Sequence, residues 1–391
     1  VYAPSLLFTI WTLYVATRKN WNARDVWLAA FLQSVAILFH QMNILITPVI
    51  LYKIYEQRKN IYLGKSIFWY GLTGLLLVGG TYFITGWVLD GHNNIEGWIG
   101  WIRGYTATGE YWRGLTAKTP ALAGIGFSHT IFGGHFIFEM GLQSELSGLL
   151  SSHELKDEAF LVRNMSSTTG TLMFILASVI VMCILFLLAN FIGRFRFLVK
   201  NQYYVILPLL IFFGVTSLYF LFWMPEILEF WLGQCIVFWM LLISAFQPQN
   251  KRFNILLGSL AVMLFVVNYF SSIQPMQNIK NDIGYERIQK VRSIATEKDV
   301  IVVRDPWLLK DFLEYYTPAQ VIVVPADKQK AEDYHKAIND RLQTGSKIFL
   351  FTAKSTIHAS PNETFIPALI EEHRPRTTLL QKEMTEIWMI K

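Results

Sequence analysis

The sequence predicts a polytopic α-helical membrane protein with an α/β domain at its C-terminal end. Three observations lead there. Of 391 residues, 53% are hydrophobic and only 16% charged, well under the roughly 25% charged residues of a soluble domain. Apolar runs of about 20 residues recur, the length an α-helix needs to cross a hydrocarbon core of about 30 Å. From about Gln274 onward, short β-branched runs alternate with helical patterns, as in a small α/β domain.

Taken in order, the chain offers about eight membrane segments. Residues 1–16 open inside an apolar run with no charged stretch before them, which reads as the remaining part of a membrane helix with more chain expected upstream. Residues 26–39 and 42–55 are apolar but about 14 residues each, roughly 21 Å at about 1.5 Å per residue. They are expected to form a short helical hairpin with its tip at His40-Gln41-Met42-Asn43 and a kink at Pro48. Residues 67–89 make a full-length helix. A long loop, 90–167, is too aromatic for a disordered linker, and 97–102 and 127–138 look like interfacial helices. Residues 171–192, 203–222, 228–246 and 253–270 complete the set. Between the second and third of these lies the turn Trp223-Met224-Pro225-Glu226, where Pro225 is expected to start a helix.

Charge sets the expected orientation. Twelve basic residues (Arg18, Lys19, Arg24, Lys53, Arg58, Lys59, Lys65, Arg194, Arg196, Lys200, Lys251, Arg252) sit at one set of helix ends. The turns at 40–43 and 222–226 hold none, and the positive-inside bias puts those turns outside the cytoplasm. The loop 90–167 and the tail domain then face the same side. The net charge of +6 follows from these short loops and does not point to nucleic acid. The two cysteines, Cys183 and Cys235, fall in membrane segments and suggest no disulfide or zinc framework.

The domains are expected at 1–273, the membrane part, and 274–391, the tail. In the tail, 299–303, 320–324 and 347–351 read as strands of a mainly parallel sheet, with 385–390 as an edge strand. Val303-Arg304-Asp305-Pro306-Trp307 stands where a dinucleotide site would carry G-x-G-x-x-G, so nucleotide binding there is not expected.

Candidate chemistry gathers on the expected outer side. Glu226 and Glu229 suit a cation or a sugar hydroxyl, and equally the positive end of a helix dipole. His40 is a polar group at membrane depth, where such groups are satisfied or functional. In the long loop, Asp90 and Glu110 supply carboxylates and Arg103 and Arg113 supply guanidiniums, interleaved with Trp and Tyr. Rings beside carboxylates suit sugars, and Arg suits phosphate. No H-x-x-x-H or H-E-x-x-H spacing occurs, so no metal site is expected; no cofactor is foreseen, and a need for a divalent metal stays open.

Ala36-Ile37-Leu38-Phe39-His40-Gln41 with Pro48, Trp98 to Tyr105 followed by Trp112, and Trp223-Met224-Pro225-Glu226 with Glu229-Phe230-Trp231 resemble bacterial membrane glycosyltransferases of the GT-C superfamily. These are the relatives of dolichyl-phosphate-mannose-protein mannosyltransferases and aminoarabinose transferases. The resemblance covers about residues 1–270. It implies an integral protein of the bacterial plasma membrane with an extracytoplasmic C-terminal domain. Such a protein moves a sugar from a polyprenyl-phosphate donor to a glycan, lipid or protein acceptor on the outer face. In that family the main acidic residue lies in an outer loop between the first two membrane helices, which has no counterpart in this sequence, so no catalytic base is carried over. Asp90 and Glu110 become supporting carboxylates, Arg103 and Arg113 donor-phosphate ligands, and His40, Glu226 and Glu229 the cavity rim. Two other classes compete: a transporter or flippase of lipid-linked sugars, which should show paired broken helices, and a non-catalytic envelope-assembly subunit acting through its tail.

Overall fold

In the computed structural model the structure describes residues 2–104, 112, 114–133, 160–246, 251–304, 308–324, 328–352, 365–381 and 386–391. The chain separates into two compact units, Val1–Gly134 with Thr171–Tyr269 and His135–Gly170 with Phe270–Lys391.

The first unit begins with α1 (Tyr2–Ala16), α2 (Ala23–Phe39) and α3 (Thr47–Glu56). Ala16, Ala29, Ala30 and Ala36 are buried, and such small side chains let helices approach closely. A capping box fixes the start of α2. Asn22 accepts from the Arg24 amide at 2.8 Å, while Asp25 accepts from the Asn22 amide at 3.0 Å. Pro48 does not kink α3. The chain runs as a 3₁₀ helix over Gln41–Ile46, and α3 starts at Thr47 with Pro48 in its first turn, where a missing N–H breaks no helical bond.

Next comes α4 (Leu63–Leu89), whose α-helical path includes π-helical stretches at Leu75–Gly79 and Phe83–Leu89. Two short helices follow, α5 (Ile95–Arg103) and α6 (Thr119–Ile131). The helix expected at 127–138 therefore begins earlier, because Pro120 and the Thr119 hydroxyl, which accepts from the Thr116 amide at 2.9 Å, make a helix start. Residues 134–138 lie outside the described residues.

Ser167–Phe222 is one continuous helical path, α7, broken at Gln202 (φ −131°, ψ 29°). A straight helix of 56 residues would span roughly 84 Å at about 1.5 Å per residue, so the break divides it into two usable lengths. The turn after it corrects the expectation for Pro225, which starts no helix. Met224 takes a left-handed conformation (φ 44°), and Ile227 is still extended. Helical structure resumes only with the 3₁₀ turn Leu228–Trp231, which leads into α8 (Leu232–Ser244). Glu229 stands in that first turn; Glu226 lies before it. The path α9 (Lys251–Met276) ends the apolar part. Among the described residues, three helices, α4, α7 and α9, are long and apolar enough to cross a membrane, and Tyr2–Ala16 and Leu228–Ser244 are apolar but shorter.

The second unit holds a five-stranded sheet in the order β2-β1-β3-β5-β4, with β1 (Val300–Val303), β2 (Gln320–Val323), β3 (Ile348–Phe351), β4 (Thr377–Gln381) and β5 (Ile387–Ile390). β1 pairs parallel with β2 and β3, while β5 pairs antiparallel with β3 and β4. The sheet is thus mixed rather than mainly parallel. The last strand is interior and β4 is the edge, which reverses the expectation for 385–390. Alternation along the strands builds two cores. Val300, Val302, Ile348 and Leu350 pack with helices α12 (Lys328–Gln343) and α13 (Phe365–Glu372) through Ile338 and Leu369. Ile301, Val303, Phe349 and Phe351 pack with α10 (Ile283–Arg292) and α11 (Leu308–Tyr316) through Val291 and Leu313. The unit is a three-layer α/β/α sandwich.

Candidate functional site: a cavity at the hairpin tip

The hairpin tip is organised by Asn43. Its amide nitrogen donates to Ser5 Oγ (2.7 Å) and to the carbonyls of Ala36 (2.8 Å) and His40 (3.0 Å). Its amide oxygen accepts from Thr9 Oγ1 at 2.8 Å. One neutral side chain thereby ties α1 to both arms of the hairpin. Gln33, 2% exposed, extends the network by donating to the Asn43 carbonyl (3.2 Å) and to Thr47 Oγ1 (2.9 Å), and Tyr70 of α4 donates to Gln33. Buried among apolar helices, such polar groups satisfy one another.

His40 caps the 3₁₀ helix, its Nδ1 accepting from the Met42 amide at 3.4 Å. Its ring lies 5.2 Å from the Tyr2 ring. Next to Asn43 and His40 the unit contains a cavity of about 70 Å³. Ser5, Thr9, His40 and Asn43 line one side; Thr216, Glu229 and Gln234 line the other. Thr9, Gln234 and Thr216 are buried and form its floor, whereas Glu229 is exposed and His40 half-buried, marking its mouth. The Glu229 carboxylate acts electrostatically on the His40 imidazole.

Aromatic rings enclose the turn that delivers Glu229. Trp231 Nε1 donates to the Pro225 carbonyl at 2.9 Å, closing the loop that Met224 opens. Trp223, Trp231 and Phe220 are buried together with Ala123 of α6. Trp112 pairs with Trp223 as an isolated antiparallel bridge, their rings 5.2 Å apart. A methyl group on Gly126 would lie 2.4 Å from the Pro225 carbonyl oxygen, so the close approach of α6 to the turn requires glycine there.

The expected site residues divide among several places. His40 and Glu229, 189 positions apart in sequence, line one cavity. Glu226 is buried beside the turn and does not line it. Asp90 is exposed just past α4, its amide donating to the Thr85 carbonyl at 2.9 Å. Arg103 is exposed at the end of α5. The preceding Ile102 carbonyl accepts from Gln41 at 3.4 Å, so that helix end reaches the hairpin tip. Glu110 and Arg113 lie outside the described residues. Among the described residues, no three His, Cys, Asp or Glu side chains are placed to hold a metal ion.

Sequence reasoning missed Ser5, Thr9, Asn43 as an organiser, Thr216 and Gln234. The available signal was their polarity inside apolar runs; Gln234 is the one amide in the run 228–244. No family model matches the chain, and no curated protein and no solved structure is significantly similar to it.

Proposed function

We propose that the chain is a membrane glycosyltransferase of the GT-C kind, moving a sugar from a polyprenyl-phosphate donor to an acceptor hydroxyl at the outer face. The motif resemblance motivates the reading. The observation that carries it is the convergence of His40 and Glu229 on one cavity within a unit of apolar helices. In this reading about eight segments cross a bacterial plasma membrane, the hairpin tip and the 223–231 turn face outward, and the tail unit is extracytoplasmic.

The chemistry asks little of the protein beyond positioning and proton transfer. The acceptor hydroxyl gives its proton to Glu229, the carboxylate that reaches the cavity among the described residues. Its oxygen forms the new bond to the anomeric carbon. The bond from that carbon to the phosphate oxygen breaks, and the electron pair leaves on the polyprenyl phosphate. A guanidinium opposite that phosphate stabilises the developing charge, a role for Arg103 at the tip-contacting end of α5. Glu229→Gln should then lower transfer by about 10²- to 10⁴-fold, the usual worth of a positioned acid or base, with donor binding retained. The measurement is transfer from a radiolabelled polyprenyl-phosphate sugar by the full-length protein in membranes. A Glu229→Gln protein that transfers at the wild-type rate removes the cavity from the reaction. Wild-type protein that binds donor and transfers to no acceptor favours the non-catalytic envelope-assembly reading.

A further inference from the structure

We infer that the cavity is a hydroxyl-binding subsite read by Gln234, and that the lipid phosphate binds elsewhere; this rests on the transferase reading. Gln234 is 1% exposed, and its amide Nε2 has no hydrogen-bond partner among the described residues. An amide N–H buried without an acceptor is costly, about 1–3 kcal/mol. The same side chain lines the cavity, so an acceptor atom entering the cavity is what would satisfy it.

The remaining lining narrows the chemistry. Glu229 supplies an acceptor at the mouth, and among the described residues no Lys or Arg lines the cavity. A phosphate would meet the Glu229 carboxylate with only the His40 imidazole to offset it, and like charges in a poorly solvated space repel strongly. An ammonium would satisfy Glu229 and leave the Gln234 N–H unmet. A hydroxyl offers both kinds of bond, donating to a carboxylate such as Glu229 and accepting from an amide N–H such as that of Gln234. A volume of about 70 Å³ is room for about five waters, at roughly 10–15 Å³ for each, and so for a hydroxyl-bearing group. Gln234 is therefore a specificity residue for the acceptor end, and the donor phosphate stays on the Arg103 side of the tip.

Two readouts test this on the full-length protein in nanodiscs. In transfer assays, Gln234→Leu should raise the acceptor KM about five- to tenfold, the worth of one buried hydrogen bond, while donor KM is unchanged. Gln234→Glu, which keeps the size and removes the donor when ionised, should do the same and serves if Gln234→Leu does not fold. The second readout needs no transfer. In a protein carrying Cys183→Ser, Cys235→Ser and Thr216→Cys, glycerol should slow modification of the floor thiol by methyl methanethiosulfonate, and inorganic phosphate should not. Gln234→Leu should abolish the glycerol protection. Transfer with unchanged acceptor KM and unchanged protection in both Gln234 variants overturns the inference and leaves the transferase reading standing. Glycerol protection that depends on Gln234, in a protein that transfers nothing, keeps the hydroxyl site and removes the transferase. Protection by phosphate overturns the assignment.

Discussion

Asn43 in the first unit and Asp299 in the second do the same job with opposite chemistry. Each is one polar side chain that joins separate stretches of chain. Asn43 does so as a neutral amide, donating and accepting among α1, the α2 end and the 3₁₀ turn. Asp299, 3% exposed, does so as a carboxylate: one oxygen accepts from the Lys347 amide at 2.8 Å and the other from the Thr296 amide and hydroxyl at 2.7 and 2.8 Å. That ties the start of β1 to the start of β3. The difference teaches how a charge is made tolerable. At the mouth of the sheet, two backbone amides and a hydroxyl hold the carboxylate with the Lys347 charge nearby. In the hairpin unit, buried Lys53 pairs with Glu56 at 2.6 Å, and buried Asp25 with the exposed Arg18 at 2.9 Å.

The pair offers the harshest way to break that contrast. The Lys53 side chain is 0% exposed and that of Glu56 10% exposed. Lys53→Ala strands the Glu56 carboxylate and should cost about 3–5 kcal/mol, whereas replacing both by apolar residues of similar size, Lys53→Met with Glu56→Leu, should be neutral or stabilising. Thermal unfolding midpoints in nanodiscs measure both. If the single and double variants lose stability equally, the pair is not what makes the charge tolerable. The double variant also touches topology, because Lys53 is one of the basic residues used to orient the hairpin.

A smaller loss is expected at the tip. Asn43→Leu removes the partner of the Ser5 and Thr9 hydroxyls and should cost about 2–4 kcal/mol. Asn43→Asp keeps the acceptor for Thr9, removes the donor for Ser5, and places a charge among hydroxyls and carbonyls. If the rule drawn from the comparison holds, Asn43→Asp is no better tolerated than Asn43→Leu in the same measurement.

The same contrast explains what could be read in advance. Apolar runs marked α1, α4, both arms of α7 and α9 because each is apolar along most of its length. β1, β2 and β3 were legible because each is a short continuous apolar run, β-branched in β1 and β2. β4 was missed because Thr377-Thr378-Leu379-Leu380-Gln381 is a half-exposed edge strand with no such run. The interior place of β5 is a matter of strand order, which no local pattern encodes. Pro225 was misread because a proline after a helix fits both a first helical turn and a left-handed stop, and only the φ of Met224 separates them. At the cavity, His40 and Glu229 stood out as ionisable groups near apolar runs. Gln234 and Thr216 did not, since their meaning comes from what faces them across the fold.

The gentlest test concerns Asp299 itself and turns on pH. Burial alone pushes its carboxyl up, but the Lys347 and Thr296 amides, the Thr296 hydroxyl and the Lys347 charge favour the ionised form more, so it titrates below its ordinary range. A carboxyl with a lower pKa folded than unfolded binds fewer protons in the native state, so its contribution rises with pH. It is fully present above the unfolded value of about 3.9 and is lost as pH falls through the folded value. Asp299→Asn keeps one acceptor oxygen and loses the other, so at pH 7 it should cost the tail sheet about 1–2 kcal/mol. The gap between wild type and variant should shrink below about pH 4, as protonation removes the wild-type carboxylate, which the variant lacks at every pH. Hydrogen exchange of peptides covering β1 and β3, corrected for intrinsic rates, reads the gap locally. A gap that stays constant from pH 7 to pH 3 would mean that geometry, rather than charge, joins the two strands, and the contrast with Asn43 would then be one of position alone.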